Sequence, residues 1–352
     1  MESMGLKDFY KGKKVFVTGH TGFKGAWLTA TLLEMGAEVT GYSLRADTIP
    51  SLFEQLELKH NINHIEADIT DRYNLTKTIQ DTQPEILFHL AAQSLVRYSY
   101  DYPLETFDTN VIGTLNVLEG CRNCESLKSA VIITTDKCYR NNDSGEFFKE
   151  DDPLGGKDPY SASKAAAEIV VDAYNQSYLK QGGIPTASAR AGNVIGGGDW
   201  ALDRLIPDVV RAFQSQQPVQ IRNPKSTRPW QFVLEPLNGY LILAEHLYNK
   251  GEEFSGGWNF GPEKEDIQTV QELLDVVKET IPFEVEYDES DQPVEAKFLA
   301  LNVDKAKAHT DWRPKLNLAE ALTWTAQWYK KFLDGEDIKE ITKQQIKEFY
   351  GI

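Results

Sequence analysis

The sequence predicts an α/β fold, a Rossmann-type doubly wound parallel sheet with a smaller, interleaved α/β C-terminal domain. In the first half of the chain, short apolar segments alternate with longer segments in which apolar residues recur at helical spacing. Connections of that length join parallel strands by right-handed crossovers, as in a doubly wound sheet. After residue 190 the alternation gives way to loops rich in Gly, Pro, Asn and Trp, which predicts a second domain over a cleft.

The predicted strands and helices follow one another in the order that this fold requires. Strands are predicted over residues 13–18, 38–43, 85–90, 130–135 and 187–190, with another near Ile65. Helices are predicted over residues 26–34, 109–121, 161–179, 205–214, 235–249 and 318–333. We place the domain boundary between residues 1–189 and 190–352, and we expect segment 231–260 to pack back on the first domain.

Composition and charge exclude several classes of protein. The chain has 352 residues, 41% of them hydrophobic, which is enough for a core divided between two domains. No apolar run approaches the roughly 20 residues that cross a bilayer, and residues 1–14 lack a signal-peptide core, so we expect a cytoplasmic protein. The formal net charge of -16 argues against nucleic acid and an anionic membrane as partners.

Cys121 and Cys124 form a C-x-x-C without the second pair that a zinc site needs, so no metal is expected.

A glycine-rich loop follows the first predicted strand and opens the first helix. It reads TGHTGFKG over residues 18–25, with the spacing G-x-x-G-x-x-G. A diphosphate at this place would lie on the helix N-terminus, where glycines allow close approach of the backbone. Dinucleotide binding is therefore predicted, with an ordinary tight turn between strand and helix as the alternative. The residues expected to contact the cofactor here are Gly19, His20, Thr21, Gly22, Phe23 and Gly25.

Further cofactor contacts are expected where the next strands end, at the same edge of the sheet. The second strand ends in Ser43. Arg45 beyond it is either a partner for a 2′-phosphate or an ordinary surface arginine, so the choice between NAD and NADP stays open. The other predicted contacts are Asp68 and Ile69 after the third strand, and Leu90, Ala91 and Ala92 at the end of the fourth.

A tyrosine and a lysine, Tyr160 and Lys164, lie one helical turn apart. A tyrosine has an ordinary pKa of about 10, so it serves as a base at neutral pH only where positive charge stabilises the phenolate. Lys164 and an oxidised nicotinamide would supply that charge, and Tyr160 could then take a hydroxyl proton as hydride leaves the same carbon. A second polar group, Thr135-Asp136-Lys137, ends the strand predicted over residues 130–135.

The glycine loop, Thr135-Asp136 and the Tyr160/Lys164 pair together resemble the extended short-chain dehydrogenase/reductases that act on nucleotide sugars, the NAD-dependent epimerase/dehydratase family, over nearly the whole chain. Epimerases of that family have no acid–base pair after the Ser or Thr, whereas its 4,6-dehydratases have Thr-Asp-Glu. Lysine in the third place is similar to the family's dehydratases that act on CDP-glucose and to those that invert C5 of UDP-N-acetylglucosamine. Longer segments, among them TTDKCY, RAGNVIGGGDW and RPWQFVLEPLNGYL, resemble the former.

The resemblance implies a lyase that converts CDP-glucose to CDP-4-keto-6-deoxyglucose with NAD, in deoxysugar and O-antigen type polysaccharide biosynthesis. Tyr160, assisted by Thr135, would deprotonate the C4 hydroxyl, and Asp136 would protonate the departing C6 hydroxyl. Lys137 would remove the C5 proton or merely stabilise an enolate, since a lysine is a base only when neutral. The residues that the loops and the resemblance place near the substrate are Gln93, Ser94, Asn193, Arg204, Arg222, Arg228 and Asn259.

Two other functions are compatible with parts of this pattern. An isomerase or reductase on the same fold would use the Tyr160/Lys164 pair but needs no C6 proton donor, so Asp136 argues against it. An interaction protein that senses nicotinamide without catalysis has no need of Tyr160, Lys164, Thr135 and Asp136 together. A homo-oligomer, dimer or tetramer, built from the helices predicted over residues 109–121 and 161–179 is expected from the family.

Overall fold

The computed structural model describes residues 5–142, 145–221, 223–287 and 298–352, and the predicted α/β fold is confirmed. The strands are β1 (Lys14–Thr18), β2 (Glu38–Ser43), β3 (Asn63–Glu66), β4 (Ile86–His89), β5 (Ser129–Ile133), β6 (Thr186–Ala191), β7 (Val194–Ile195), β8 (Val219–Ile221), β9 (Thr227–Arg228), β10 (Gln231–Phe232), β11 (Gly256–Phe260), β12 (Gln268–Thr269) and β13 (Val285–Tyr287). The α-helices are α1 (Leu6–Tyr10), α2 (Phe23–Glu34), α3 (Leu52–Gln55), α4 (Arg72–Thr82), α5 (Val96–Asp101), α6 (Pro103–Phe107), α7 (Thr114–Arg122), α8 (Pro159–Tyr174), α9 (Leu205–Ser215), α10 (Leu234–Lys250), α11 (Val270–Lys278), α12 (Asp304–His309), α13 (Leu318–Leu333) and α14 (Ile338–Tyr350).

Seven parallel strands form the central sheet in the order β11-β6-β5-β4-β1-β2-β3. The strand order reverses between the neighbours β1 and β4, which makes this the topological switch point of the sheet. Thr18 and His89 lie opposite each other there, and the Thr18 hydroxyl is 2.7 Å from His89 Nδ1. Ligands of doubly wound sheets bind outside the carboxyl ends of the strands at such a point.

The predicted domain boundary between residues 189 and 190 falls inside β6 and stays a prediction. β6 runs without a break through Thr186–Ala191, and all six of its residues are buried. β11 extends the same sheet beyond β6, with Asn259 opposite Arg190, and α10 packs against β5. The chain therefore leaves the central sheet only after Ala191, because the ladder of hydrogen bonds along β6 is continuous to that residue.

Helix ends differ from the predicted bounds where capping decides them. α2 begins at Phe23 rather than at residue 26, because the glycine before it takes the N-cap position. α8 begins at Pro159, behind the N-cap Asp158, whose carboxylate accepts a hydrogen bond from the Ser161 N–H at 2.9 Å. The helix predicted over residues 109–121 begins with a π-type turn, Asp108–Gly113, before α7.

Aromatic side chains of the core hold loop 196–200 against two helices. Trp27 of α2 donates from Nε1 to the Gly197 carbonyl at 2.9 Å, and the Tyr329 hydroxyl of α13 donates to the Asp199 carbonyl at 2.5 Å. Trp328 packs so closely on Gly197 that a Cβ there would lie 2.0 Å from its ring. The core thereby fixes the backbone of Asp199, whose charge acts on the glycine loop at Lys24.

The described ranges contain no membrane span and no metal cluster. None of the described helices is both long and apolar enough to cross a bilayer. In those same residues, no three His, Cys, Asp or Glu side chains are grouped so as to hold a metal ion. Cys121, Cys124 and Cys138 are buried free thiols.

Candidate active site

The glycine loop has the shape that a diphosphate needs. Gly19 has a φ of 73°, and a Cβ there would lie 2.6 Å from the Ala91 amide nitrogen. At Gly25 a Cβ would lie 2.0 Å from the Gly19 carbonyl oxygen, so both positions require glycine. Gly22 caps α2 without a side-chain hydrogen bond to the first turn. The N–H groups of that turn are therefore left to an anion at the positive end of the helix dipole.

The His20 ring is buried beneath the loop. Its Nε2 lies 2.7 Å from His64 Nδ1, and its edge contacts the Phe53 ring. Gly41 makes room for it, because a Cβ there would be 2.5 Å from the imidazole. Burial, followed by the charge of His64, lowers the pKa of His20 to about 3, so the ring is neutral and supplies no charge to a phosphate.

The side chains at the end of β2 bind mainly to one another. The Thr21 and Ser43 hydroxyls are 2.8 Å apart, and Thr21 also donates to the Leu44 carbonyl at 2.9 Å. Arg45 forms a 2.7 Å ion pair with Glu66 at the end of β3, and its side chain is 83% exposed. This partner neutralises the charge that a 2′-phosphate would need, which favours NAD over NADP.

The other predicted cofactor residues lie along the edge next to the glycine loop. Asp68 Oδ1 accepts a hydrogen bond from the Thr70 N–H at 2.8 Å. Ile69 is buried, and its side chain fills the space that a Cβ at Gly113 would take. Leu90, Ala91 and Ala92, which follow β4, are half-buried.

Thr135 and Asp136 lie in a short turn that begins where β5 ends. The Thr135 hydroxyl donates to Asp136 Oδ1 at 3.0 Å and accepts a hydrogen bond from the Lys137 N–H at 3.3 Å. Asp136 is buried, and its Oδ2 has no hydrogen-bond partner within the described ranges. Burial raises the pKa of Asp136, while the charge of Lys137 is the largest effect that opposes this rise. A carboxyl group with a raised pKa can hold a proton that it later donates.

Tyr160 and Lys164 lie one turn apart on the buried face of α8. Lys164 Nζ donates to the Ile133 carbonyl at 2.9 Å, and burial lowers its pKa to about 8. Burial also raises the pKa of Tyr160 to about 12, while a hydrogen bond to Thr135 acts in the opposite direction. The phenol therefore needs added positive charge before it can act as a base.

Lys24, the second residue of α2, belongs to the site although the sequence analysis did not select it. Burial and the positive charge of Arg204 lower its pKa to about 8, and the carboxylate of Asp136 opposes this change. The ammonium group therefore lies among the charged groups of the cleft. A lysine inside a glycine loop was the signal that could have identified it.

Two arginines of the C-terminal half bring positive charge to these groups. Arg204 caps α9, its Nε lies 3.7 Å from Asp199 Oδ2, and its charge acts to lower the pKa of Tyr160. The charge of Arg228, in β9, acts to lower the pKa of Asp136. Asn193, before β7, is half-buried, and Arg222 lies outside the described residues.

The side-chain amides of Gln93 and Asn259 bind partners within the protein, and their predicted substrate contacts stay predictions. The Gln93 amide donates to the Leu95 carbonyl at 3.1 Å and to Thr106 Oγ1 at 2.8 Å, and it accepts from the Leu95 N–H. Asn259 is fully buried in β11, where its amide accepts from the Tyr139 hydroxyl and donates to two carbonyls. Both amides are therefore occupied by protein partners, whereas Ser94 is exposed beside Gln93.

Asn110, in the π-type turn, is a further buried residue that the sequence analysis did not select. Its amide accepts from the Gln93 N–H and donates to the Gln93 carbonyl, each at 2.9 Å. It also donates to Ser163 Oγ at 2.9 Å, and that hydroxyl donates to the Tyr160 carbonyl at 2.7 Å. Asn110 thereby fixes the loop after β4 to the first turn of α8.

Comparison with known proteins finds relatives that cover most of the chain. A family model described as GDP-mannose 4,6 dehydratase matches residues 16–325. A protein of Salmonella typhimurium named CDP-glucose 4,6-dehydratase is 47% identical over 97% of this chain and 98% of its own length. The structure of a Thermus thermophilus UDP-glucose 4-epimerase with NAD is 27% identical, with a TM-score of 0.76 over 90% of this chain and 99% of that one. A Bacillus anthracis dTDP-glucose 4,6-dehydratase structure with NAD, 22% identical, shares the fold, with a TM-score of 0.77 over 94% and 100% of the two chains.

Proposed function

The chain belongs to the GDP-mannose 4,6 dehydratase family, and on that premise we propose that it is an NAD-dependent hydro-lyase that converts CDP-glucose to CDP-4-keto-6-deoxyglucose and water. The observation that carries the dehydratase assignment is the buried Asp136 next to Thr135, which Tyr160 also contacts. An epimerase on this fold needs the Tyr160/Lys164 pair but no second proton donor. The substrate assignment rests on the 47% identical relative.

The glycine loop fits the diphosphate of NAD, since Gly19 and Gly25 leave no room for side chains and α2 offers its first N–H groups. NAD bound there supplies a hydride acceptor for C4 of the sugar and later a hydride donor for C6. The chain's part is to hold both molecules and to move protons. Lys164 lies within the same buried site and contributes positive charge to it.

Tyr160 is the proposed base for the C4 hydroxyl. A hydrogen bond to Thr135 and the charge of Arg204 act to lower its pKa. Lys164, one turn away on the same face of α8, and the oxidised cofactor would add further positive charge that favours the phenolate. Oxidation at C4 produces a ketone, which makes the proton on the neighbouring C5 acidic. Asp136, with its raised pKa, then gives its proton to the C6 hydroxyl, which leaves as water.

Lys137 is the proposed base for the C5 proton, and arginine is the substitution that tests this role. Arginine keeps the positive charge but cannot become neutral, so Lys137→Arg should slow exchange of the C5 proton by about 10²-fold. Exchange into deuterated water, followed by mass spectrometry, measures this step. If Lys137→Arg exchanges at the wild-type rate while Lys137→Met does not, Lys137 instead stabilises the enolate by its charge.

Gly192 keeps space open beside the proposed acid. A Cβ at this position would lie 2.8 Å from Asp136 Oδ2 and 3.3 Å from Pro229 Cγ. Gly192→Ala should displace the carboxyl group and slow elimination about tenfold, with less effect on C4 oxidation. Single-turnover kinetics separate the two steps. Gly261→Ala is the matched control, because a Cβ there meets Val303 at an ordinary 3.6 Å. Equal losses in both steps of Gly192→Ala would contradict this role.

The substrate's diphosphate and sugar are proposed to lie against the C-terminal half. Arginine forks suit phosphate oxygens, and Arg204 and Arg228 already act electrostatically on the catalytic groups. Asn193 and Ser94 are proposed polar contacts, and Arg222 stays a sequence-based prediction.

We also propose a cytoplasmic homodimer or homotetramer that serves deoxysugar synthesis for an O-antigen type polysaccharide. Exposed apolar side chains on the π-type turn, on α8 and just beyond α8 support an interface there. They are Ile112, Ile169 and Tyr178. Light scattering of the purified protein measures the oligomeric state. Cell fractionation measures where in the cell the protein is located.

A panel of nucleotide sugars tests the proposed function. The protein is incubated with NAD and with CDP-, UDP-, GDP- or dTDP-glucose, and the 4-keto product is followed by its absorbance in alkali. We expect CDP-glucose to form ketone fastest. Faster turnover of another sugar would replace the CDP assignment, and epimerisation at C4 without ketone would overturn the dehydratase.

A further inference from the structure

Glu168 is a buried carboxylate one helical turn beyond Lys164, on the same face of α8. Its Oε2 accepts hydrogen bonds from Ser188 Oγ and from Arg190 Nη2, each at 2.7 Å. Its Oε1 accepts a hydrogen bond from the Thr134 hydroxyl. The carboxylate therefore joins α8 to β6 and to the end of β5.

The partner of Glu168 is equally enclosed. The side chains of Arg190 and Glu168 are 5% and 3% exposed, so water screens the pair very little. Arg190 also donates to the Tyr139 hydroxyl at 2.7 Å and to the Glu150 carbonyl at 2.8 Å. A buried pair held at both ends keeps a fixed geometry, and the charge of Arg190 holds the pKa of Glu168 below its usual range despite burial.

One of the groups that Glu168 contacts adjoins the catalytic residues, because Thr134 immediately precedes Thr135. The Lys164 ammonium donates to the carbonyl of Ile133, the residue before Thr134. Burial lowers the pKa of Lys164, and Glu168 is the largest influence against this change. The titratable and charged groups that interact electrostatically with Lys164 are Glu168 and Cys138, Lys24 of α2 and His89 of β4.

We propose that Glu168 is a positioning residue of the reaction, whose carboxylate places a negative charge one helical turn from Lys164 and ties the Thr134-Thr135 backbone to α8. The inference rests on the proposed function, because it concerns the ionisation of Tyr160 in that chemistry. Lys164 stabilises the phenolate only as an ammonium ion, so activity falls as the pH rises through its pKa. Without the carboxylate, that pKa falls, and the alkaline limb of the pH profile moves to lower pH.

The test measures the pH profile of C4 oxidation, followed as reduced nicotinamide in a single turnover with CDP-glucose. In Glu168→Gln, the alkaline limb should move down by about one pH unit, the lower end of the effect of a nearby opposite charge. Glu168→Asp keeps the charge and should leave the limb close to that of the wild type. Ser188→Ala removes one hydrogen bond to the carboxylate without removing its charge, so its limb should not move.

Glu168→Gln leaves Arg190 buried without its partner and is the variant most at risk of misfolding. The double variant Glu168→Gln/Arg190→Met removes both charges, and its alkaline limb should move in the same direction. A loss of rate that is equal at every pH in the folded variant would show a purely structural role and overturn the inference. If the wild type forms no 4-keto product with any sugar of the panel, the proposed function itself is overturned. If the wild type forms this product but the alkaline limb of Glu168→Gln does not move, only the inference about Glu168 is overturned.

Discussion

Tyr160→Phe is expected to slow oxidation of C4 by about 10³- to 10⁴-fold, the upper part of the range for general-base catalysis. Phenylalanine keeps the ring in the buried first turn of α8 but removes the oxygen that would take the C4 proton. Every later step depends on the 4-ketone, so formation of the keto product should fall by the same factor. The rate of C4 oxidation is measured from reduced nicotinamide in a single turnover. The rate of product formation is measured from the keto product at steady state.

Tyr240→Phe is the control for removal of a buried tyrosine hydroxyl close to the site. The Tyr240 hydroxyl is buried, and it has no hydrogen-bond partner among the residues that the structure describes. Its loss should leave both measurements near the wild-type values. A Tyr160→Phe enzyme that still oxidised C4 within tenfold of the wild-type rate would assign the base to another group.

Asp136→Asn is expected to slow elimination by about 10³-fold while C4 oxidation changes by less than about tenfold. Asparagine has nearly the shape of aspartate and can still accept a hydrogen bond from Thr135, but it has no acidic proton for the C6 hydroxyl. The oxidised sugar should therefore form and then stall. Reduced nicotinamide, transient in the wild-type enzyme, should accumulate in the variant.

A carboxylate elsewhere on the protein surface provides the control for Asp136→Asn. Asp172→Asn removes an exposed carboxylate from the same chain, on α8, and should leave both steps unchanged. Equal losses of oxidation and elimination in Asp136→Asn would contradict the acid role. They would instead indicate that the carboxylate mainly offsets the positive charges of Lys24, Lys137 and Arg228.

Four strands of the central sheet, β1, β4, β5 and β6, were predictable because they are buried almost throughout and read as short apolar runs. β2 occupies residues 38–43, the range that the sequence predicts, and α13 likewise occupies residues 318–333. The strands of two or three residues in the C-terminal half were not predicted. A pairing such as β9 with β12 joins residues about forty positions apart, and no local periodicity marks it.

Residues of the site were predictable where they lie close together in the sequence. Tyr160 and Lys164 are four residues apart, so helix geometry alone brings them to one face. The hydrogen-bond partners of Gln93 and Asn259 were not predictable in this way, because their amides bind Thr106 and Tyr139 from other segments of the chain. Lys24 was overlooked because its neighbours Asp136 and Arg204 come from distant segments.

The sequence by itself determined the doubly wound fold, the glycine loop at the start of α2, and the Thr135-Asp136 and Tyr160/Lys164 groups, since each depends on neighbouring residues. Only the tertiary structure decided which charges meet in the cleft. It placed Glu168 against Arg190, where the charge of Glu168 also acts on Lys164, and it brought Lys24 within electrostatic range of Asp136. The physical reason is that the pKa of a buried group depends on its distance from water and from charges on other segments, and those distances exist only in the folded chain.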